Sequence, residues 1–355
     1  MDALMLPSNW QKVRLGDILT LKHGRDYKNF KLGNIPVYGS GGYMLSINNF
    51  LHNGESVCIG RKGTIDKPIY LNGKFWVVDT LFYSYSFKKS IPKFIFYAFS
   101  IIKWSNYNEA TGVPSLTKMT ISNIEIPLPP LNEQIAIANI LSDLDYYLCS
   151  LDALILKKES VKKALSFELL SQRKRLKGFN QAWQRVRLGD IANYLTSNLS
   201  AEQITQQGKI KVYDVNNFIG YTNTTFISDK PYISIVKDGS VGRVRILPPK
   251  TNILSTMGAL IANHKTTTEF LFYLLSNFDF KNFTSGSIIP HIYFKDYKEK
   301  TIFLPPLNEQ IAIANILSDL DNEIISLKNK KRQFDNIKKA LNHDLMSAKI
   351  RVLKK

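Results

Sequence analysis

Three short segments place a carboxylate near a lysine, the combination with which metal-dependent nucleases hold Mg²⁺ and stabilise a phosphate under attack. The segments are Asp26-Tyr27-Lys28, Asp279-Phe280-Lys281 and Asp296-Tyr297-Lys298. No Pro-Asp pair precedes any of them, and such triplets are common in a lysine-rich chain. Salt pairing at the surface is therefore favoured over nuclease chemistry. The five histidines and two cysteines show no metal-ligand spacing, so no metal site is predicted.

The glycine-containing segments do not form a nucleotide-binding motif. The chain lacks Gly-x-x-x-x-Gly-Lys-Ser/Thr, the loop that surrounds the phosphates of ATP. Gly39-Ser40-Gly41-Gly42 is a glycine cluster, but the long helix that a dinucleotide-binding loop requires does not follow it. We interpret the cluster as a tight turn and predict no cofactor in this chain.

Basic, aromatic and amide side chains recur around glycine turns, where they could meet the phosphates or base edges of DNA. In the first half of the chain the candidates are Arg25, Lys28, Tyr38, Ser40, Tyr43, Arg61, Lys62 and Lys118. In the second half they are Asn216, Asn217, Tyr221, Lys237, Arg243, Arg245, His291, Tyr293 and Lys295. The alternative for each is an ordinary solvated turn, in which Asn is also common.

The sequence that carries these residues contains an internal repeat. Residues 128–145 read LPPLNEQIAIANILSDLD, and residues 304–321 repeat the same eighteen letters at an offset of 176. The same offset aligns Asp79-Thr80 with Ser255-Thr256, and WQKVRLGDI from Trp10 matches WQRVRLGDI from Trp183. The chain is therefore a tandem repeat of two halves of about 175 residues.

Each half changes composition once. Residues 1–130 and 180–306 alternate short β-branched and aromatic runs with Gly and Asn turns, which predicts two β-rich heads with one or two short helices. Residues 131–179 and 307–355 follow double prolines and are helix-forming, with Asn132 and Asn308 placed as caps. The first helix is expected to reach about Lys177.

Both helical segments carry a heptad-like apolar stripe. Its members are Leu141, Leu144, Leu148, Leu151, Ile155, Leu165 and Leu169, matched by Leu317, Leu320, Ile324, Leu327, Phe334, Leu341 and Leu345. Lys158 and Lys162 interrupt the first stripe, so a short pairing is expected. Two equal stripes bury each other best side by side. The predicted fold class is α/β (mixed α+β): two β-rich domains related by a pseudo-twofold axis, separated by two long antiparallel helices that form a coiled-coil-like spacer.

The composition favours an anionic partner. The chain has 355 residues with 47 Lys+Arg against 29 Asp+Glu, a formal charge of +18. This excess favours a polyanion or an anionic membrane surface, and much of it lies in residues 157–177 and 328–355, where phosphates could lie along the helices. Only Cys58 and Cys149 are present, so a disulfide framework is excluded and a reducing cytoplasm is expected. The amino terminus has no signal-peptide pattern, and the longest apolar stretch, residues 94–102, is too short to cross a bilayer.

The order of variable head, LPPLNEQ block and long helix, repeated once, resembles the specificity (S) subunit of type I restriction-modification systems. The resemblance is carried by WQKVRLGDI and WQRVRLGDI, by the turns IGRKGTI and IVKDGSV, and by the two LPPLNEQ blocks, and it covers nearly the whole chain. It implies two target recognition domains that read an asymmetric, bipartite sequence in double-stranded DNA.

The resemblance also implies that the chemistry belongs to partners. Two modification subunits would methylate adenine with S-adenosylmethionine, and restriction subunits would cleave DNA and consume ATP, with magnesium. The leucine before each double proline agrees, since an amino-methyltransferase resembling the known families carries Asp or Asn there. This chain itself is expected to be a non-catalytic subunit.

The repeated blocks predict a surface for the modification subunits. Residues that read bases need not match between the halves, whereas a docking surface used twice must. The candidates are Pro129, Pro130, Asn132, Glu133, Gln134, Pro305, Pro306, Asn308, Glu309 and Gln310. The alternative is a shared helix-start motif that packs each head onto its helix.

Two other functions stay open at this point. One is a self-contained but degenerate DNA methylase or nuclease, and the other is a structural protein that binds nucleic acid and uses the helices as a spacer.

Overall fold

The structure, a computed structural model, describes residues 6–352. The prediction that the amino terminus lacks a signal peptide concerns mainly residues 1–5, which lie outside the described residues. Lys354 and Lys355 of the basic carboxyl-terminal segment also lie outside them. Within residues 6–352, no helix is long and apolar enough to cross a membrane.

The chain divides into two compact units. Unit 1 combines the residues up to Asp152 with those from Asn329 onward, and unit 2 is Ala153–Lys328. Each unit therefore contains one β-rich head and one half of each long helix. Within each unit, the helical halves pack against the head.

The head of unit 1 contains two four-stranded sheets and a two-stranded ribbon. Its strands are β1 Gln11–Arg14, β2 Thr20–His23, β3 Leu32–Gly39, β4 Gly42–Ile47, β5 His52–Asn53, β6 Ser56–Gly60, β7 Ile69–Leu71, β8 Lys74–Val77, β9 Leu81–Tyr85 and β10 Glu125–Leu128. Its helices are α1 Leu15–Ile18, α2 Pro92–Ile101 and α3 Lys118–Asn123. The sheet orders are β2-β9-β6-β7 and β4-β3-β8-β5, and the ribbon is β1-β10. Strand β6 is buried along its whole length, which explains why its apolar run does not alternate with polar residues.

The head of unit 2 repeats this plan with one strand fewer. After the first long helix, α4 Leu131–Leu170, the strands are β11 Gln184–Arg187, β12 Ala192–Thr196, β13 Ile210–Tyr213, β14 Phe218–Thr222, β15 Tyr232–Val236, β16 Val244–Leu247, β17 Asn252–Ile253, β18 Met257–Ala262 and β19 Thr301–Leu304. Its helices are α5 Thr268–Ser276 and α6 Phe294–Tyr297. The sheet orders are β12-β18-β15-β16 and β14-β13-β17, and the ribbon is β11-β19. Both ribbons are antiparallel and end at the residue before a double proline, so they fix where each long helix begins.

The long helices are α4 Leu131–Leu170 and α7 Leu307–Met346. The expectation that Asn132 and Asn308 cap them is wrong, because each helix already begins at the preceding leucine, directly after the prolines. The first helix also ends well before Lys177. Gln172 and Ala348 have left-handed backbones with φ of 62° and 58°, a conformation that ends a helix and redirects the chain.

Within each unit the two helical segments run antiparallel. In unit 1, Asp145 pairs with Lys338 and Asp152 with Lys331, so the numbers rise along α4 as they fall along α7. In unit 2, Lys158 pairs with Glu323 and Lys162 with Asp321, at 2.8 and 2.5 Å. The two lysines that interrupt the stripe therefore form ion pairs with the neighbouring helix. Eight residues of the stripe are less than a tenth exposed: Leu141, Leu148, Leu151, Ile155, Leu169, Leu317, Ile324 and Leu345. The other six, Leu144, Leu165, Leu320, Leu327, Phe334 and Leu341, are only partly buried.

Each head shares one apolar core with its helices. In unit 1, Phe94 and Phe99 of α2 belong to the same buried cluster as Ile137 of α4 and Leu345 of α7. In unit 2, Phe270 of α5 clusters with Leu317 of α7 and Leu169 of α4. The loops of each head are thus held on a rigid base.

Candidate nucleic-acid interface

Two candidate loops of the first head meet at Thr80. The backbone NH of Arg61 donates to the Thr80 carbonyl at 2.8 Å, and the backbone NH of Ser40 donates to the Thr80 hydroxyl at 3.4 Å. The Arg61 guanidinium also donates to the carbonyl of Asp79 at 3.2 Å. The structure therefore brings the Tyr38–Tyr43 hairpin and the Arg61–Lys62 turn together around Thr80, a residue that the repeat aligns with Thr256.

A third loop joins this group through Lys62, which forms an isolated antiparallel bridge with Ser115. The NH of Gly63 donates to the carbonyl of Pro114 at 2.9 Å, and the NH of Leu116 donates to the carbonyl of Arg61 at 2.9 Å. Three loops, which are far apart in the sequence, thus lie side by side at one end of the head.

An open cleft of about 730 Å³ lies beside these loops. Its walls are residues 26–28, 39–44 and 78–80, so Lys28, Ser40 and Tyr43 face one space. Tyr43 is 63% exposed and packs edge-on against Tyr38, with ring centroids 6.1 Å apart. An exposed aromatic side chain beside a lysine suits contact with a nucleic acid, which presents both phosphates and flat bases.

The second head repeats the turn but changes its side chains. The NH of Lys237 donates to the carbonyl of Thr256 at 3.1 Å, matching the bond between Arg61 and Thr80. Asp238 bridges to His291, as Lys62 bridges to Ser115, and the Asp238 carboxylate lies 2.7 Å from Nδ1 of His291. The sequence offered His291 as a DNA contact without its carboxylate partner, which orients the ring with Nε2 on the far side.

A separate group forms around the loop of Asn216 and Asn217. The Asp214 carboxylate accepts the backbone NH groups of both asparagines, at 2.8 and 2.7 Å. The Arg245 guanidinium stacks over the Tyr213 ring at 5.3 Å and donates to the carbonyl of Asn216 at 3.0 Å. Arg245 therefore orders this loop, and the two exposed asparagine side chains are left as the groups that could meet a base.

The remaining candidates lie on the same heads. Arg25, Lys28, Lys118, Arg243, Tyr293 and Lys295 are exposed, and Tyr221 is half-buried. Lys118 begins α3, and the Lys295 ammonium lies over the Tyr293 ring at 5.4 Å. Contact between any of these residues and DNA stays a prediction.

Two carboxylates of the nuclease-like triplets are occupied by their own turns. Asp26 accepts the backbone NH of Lys28, and Asp279 accepts that of Lys281, both at 3.1 Å. Among the residues that the structure describes, no group of three or more His, Cys, Asp or Glu could hold a metal ion.

The glutamates of the repeated blocks are buried in matching clusters. The indole NH of Trp10 donates to Glu133 at 3.0 Å, and Arg351 donates to both oxygens of this carboxylate, at 2.6 and 2.9 Å. In unit 2, Trp183 and Arg175 surround Glu309 in the same way, at 2.9, 3.2 and 2.6 Å. The two glutamates are 2% and 0% exposed.

The glutamines of the blocks are fully buried as well. The Gln134 amide donates to the carbonyls of Lys89 and Pro129 and accepts the NH of Ile91. Gln310 makes matching bonds to Lys265, Pro305, Thr266 and Thr267. Because Pro129 and Pro305 are buried too, these residues lock head to helix, which is the alternative raised from the sequence. Asn132 and Asn308 are exposed, Pro130 and Pro306 partly so, and their contact with a partner stays a prediction.

The identical blocks nevertheless expose apolar side chains at matching positions. Leu131 is 50% and Ile135 47% exposed on α4, and Leu307 is 45% and Ile311 48% exposed on α7. Each pair is four residues apart and therefore lies on one side of its helix. The sequence contained this signal, since two apolar positions of each block fall outside the predicted stripe.

A tyrosine of each head also binds the first part of its helix. The Tyr97 hydroxyl donates to Asp145 at 2.7 Å, and the Tyr273 hydroxyl donates to Asp321 at 2.9 Å. Burial of each phenol and its hydrogen bond to the carboxylate raise the pKa of Tyr97 and of Tyr273 above the usual range. These side chains hold the head in place and have no free group for chemistry.

Comparison with known proteins identifies similar chains. Residues 7–158 and 180–334 each match the model of the type I restriction modification DNA specificity domain. The type I restriction enzyme MjaVIII specificity subunit of Methanocaldococcus jannaschii is 25% identical over 419 residues, a match that covers 99% of this chain and 95% of the relative.

Solved structures share the fold. The crystal structure of the type I restriction-modification system S subunit from M. genitalium superposes with a TM-score of 0.70 at 20% identity, covering 97% of this chain and 98% of that chain. A chain from a study of complex assembly and conformational transition of the type I R-M system gives 0.57 at 15% identity, covering 96% and 98%.

Proposed function

Because this chain belongs to the type I restriction modification DNA specificity family, we propose that its two heads read the two halves of an asymmetric, bipartite DNA target for partner enzymes. The chain is a sequence-specific DNA-binding specificity subunit. The comparisons fit this function and not the alternatives of a self-contained methylase or nuclease, or of a structural spacer protein.

One observation supports reading by two heads above the others. The backbone bonds that fix the turn at Gly63 recur at Gly239, yet the side chains that the two turns carry differ, with Lys62 and Ser115 in one head and Asp238 and His291 in the other. A shared backbone with changed side chains is what two readers of different sequences require.

The catalytic steps and their cofactors belong, in this proposal, to the partners. Specificity subunits of type I systems are non-catalytic recognition components of complexes with DNA and other subunits. Modification subunits would hold S-adenosylmethionine, and restriction subunits would hold ATP and magnesium. A cytoplasmic location stays a prediction.

The function is tested by mapping methylated bases in cells with and without the gene by single-molecule sequencing. We expect methyl-adenine to disappear at one split motif when the gene is deleted. Replacing residues 180–306 with the corresponding head of a relative should change one half of that motif and leave the other half intact. Unchanged methylation after deletion would contradict the proposal.

Each modification subunit would dock on the exposed apolar residues of one repeated block. Leu131 with Ile135 and Leu307 with Ile311 offer the same surface twice, as two copies of one partner need. Aspartate at both positions of one block should reduce the number of bound modification subunits from two to one, measured by native mass spectrometry of the purified complex.

The matched control is Leu156→Asp, which changes a 64% exposed leucine of α4 outside the repeated block. This variant should keep both modification subunits. If the block variants also keep both, docking uses another surface while the DNA-reading function stands.

A further inference from the structure

Loops 110–114 and 286–290 share one backbone frame although their residues differ. Pro114 accepts the NH of Gly63 as Pro290 accepts that of Gly239, each at 2.9 Å. The NH of Glu109 donates to the carbonyl of Ser115 at 3.0 Å, and the NH of Ser285 donates to that of His291 at 2.9 Å. All of these residues correspond at the offset of 176. The loops therefore have equal length, and their glycines, Gly112 and Gly286, occupy different positions within it.

The tips of the two loops have different chemistry. In the first head the tip is Gly112 and Val113, and the valine is 65% exposed. In the second head the same positions hold Ile288 and Ile289, which are 92% and 55% exposed. Two adjacent isoleucines held in water at a loop tip are unfavourable for a chain that works alone, because apolar surface is driven out of water.

The loop of the second head is built to keep its tip extended. Ser285 and His291 close its base with two backbone bonds, of 2.9 and 2.7 Å, and the Asp238 carboxylate holds the His291 ring. Gly286 has φ of 91°, and a Cβ added there would lie 2.3 Å from the Ile289 carbonyl oxygen, so the turn is too tight for any other residue. A preorganised loop loses little conformational freedom when it binds.

The change of the tip between the heads favours DNA over a protein partner as its occupant. The NH of Ile292, just after the loop, donates to the carbonyl of Lys237, and Lys295 follows on the same segment. A protein partner that docks twice would meet the same residues in both heads, whereas this tip changes from Gly-Val to Ile-Ile on a constant frame. A variable tip on a constant frame matches a half-site that differs between the heads.

We propose that Ile288 and Ile289 form an apolar reading tip that contacts the apolar surface of base pairs in the half-site bound by the second head. This inference rests on the proposed function and extends it to two specificity-determining residues. The apolar surface is either the methyl group of thymine in the major groove or the face of a base step opened by a wedge.

The test uses the full chain assembled with its modification subunits and a duplex that carries the mapped motif. Ile288→Ser combined with Ile289→Ser should weaken binding to this duplex by about tenfold, a typical loss for one base contact. Binding to a duplex with the second half-site scrambled should not change. Fluorescence anisotropy at fixed salt measures both affinities, and thermal unfolding confirms that the variant stays folded.

Two further measurements distinguish contact with thymine methyl groups from insertion between base pairs. If the tip reads thymine methyl groups, uracil in place of thymine in this half-site weakens the wild-type complex and leaves the double variant unaffected. If the tip is a wedge, uracil has no effect and the double variant bends the duplex less, as energy transfer between dyes at the duplex ends would show.

The matched control is Ile325→Ser, which changes a 56% exposed isoleucine of α7 in the same unit. Its affinity should stay within about twofold of the wild type. Suppose that the wild-type complex discriminates between the two duplexes. The inference is then overturned if the double variant binds each duplex with the same affinity as the wild type, or if the double variant loses a modification subunit. A wild-type complex that does not discriminate would refute the proposed function, and this inference with it.

Discussion

Glu133 and Glu309 show why one acidic residue recurs unchanged in both halves. Each carboxylate accepts an indole NH and a pair of guanidinium bonds inside its own unit. Taking a carboxylate out of water is costly unless charge and hydrogen bonds replace the water. The tryptophan and arginine supply both, so the glutamate can fasten the start of a helix to the head and to the segment that follows the other helix.

Glu133→Gln should destabilise unit 1 by about 2 to 4 kcal/mol, because the indole keeps a partner while Arg351 loses its counter-charge. Chemical denaturation followed by tryptophan fluorescence measures the loss, and Glu309→Gln should act in the same direction on unit 2. Glu125→Gln is the control, since its pair with Lys12 is exposed and should contribute nothing measurable. If Glu133→Gln and the wild type have the same free energy of unfolding, the cluster does not stabilise unit 1.

Tyr97 and Tyr273 predict a loss of stability at alkaline pH. Burial and the bonds to Asp145 and Asp321 raise both pKa values in the folded protein, so folding favours the protonated phenols. Their contribution is complete below the unfolded pKa of about 10 and is lost as the pH rises through the higher folded values. Replacing both tyrosines with Phe should therefore flatten the fall in unfolding free energy above about pH 10. Parallel pH profiles of the variant and wild type would contradict this assignment.

Local patterns predicted the elements, whereas the contacts between distant residues escaped them. The stripe through Leu141 and Leu148 repeats with helical spacing, which is readable without a fold. The partners of Glu133 are 123 and 218 residues away, and nothing around Trp10 or Arg351 marks them as such. Lys158 looked like an interruption of the stripe because the register of the neighbouring helix decides whether a lysine meets a carboxylate.

The two long helices, α4 and α7, begin with identical sequences, but the contacts between them differ between unit 1 and unit 2. In unit 1 the Tyr147 ring packs on Phe334, with centroids 4.7 Å apart. The positions that correspond at the offset of 176 are Glu323 and Lys158, which form an ion pair in unit 2. One position of the helix pairing is thus aromatic in unit 1 and ionic in unit 2. Each segment of α4 is therefore suited to the segment of α7 in its own unit.

Converting the aromatic pair to the ionic pair tests this difference. Tyr147→Glu alone should cost about 1 to 3 kcal/mol of unfolding free energy, because it sets a carboxylate against the Phe334 ring. Adding Phe334→Lys should recover about 0.5 to 1 kcal/mol through the new ion pair. Denaturant unfolding of the single and double variants measures the coupling. Additive losses would mean that the two positions do not interact.

Over the whole molecule, several of the 47 Lys+Arg side chains are already paired with carboxylates of the chain. Lys158, Lys162, Lys328, Lys331 and Lys338 lie on the helices and each pairs with a carboxylate in its own unit. These five lysines are therefore less available to the phosphates that were predicted to lie along the helices. The basic side chains on the turns of the heads, such as the exposed Lys62, are the stronger candidates for contact with the DNA backbone.

Salt dependence separates the two groups of lysines. A lysine that neutralises a phosphate releases counterions, so its removal lowers the slope of log affinity against log salt by about 1. Lys62→Gln and Lys237→Gln should each produce this change in the assembled complex, measured by anisotropy between low and moderate salt. Lys158→Gln should leave the slope unchanged, because Glu323 already neutralises this lysine in the free protein. If Lys158→Gln lowers the slope and the turn variants do not, the phosphates follow the helices rather than the heads.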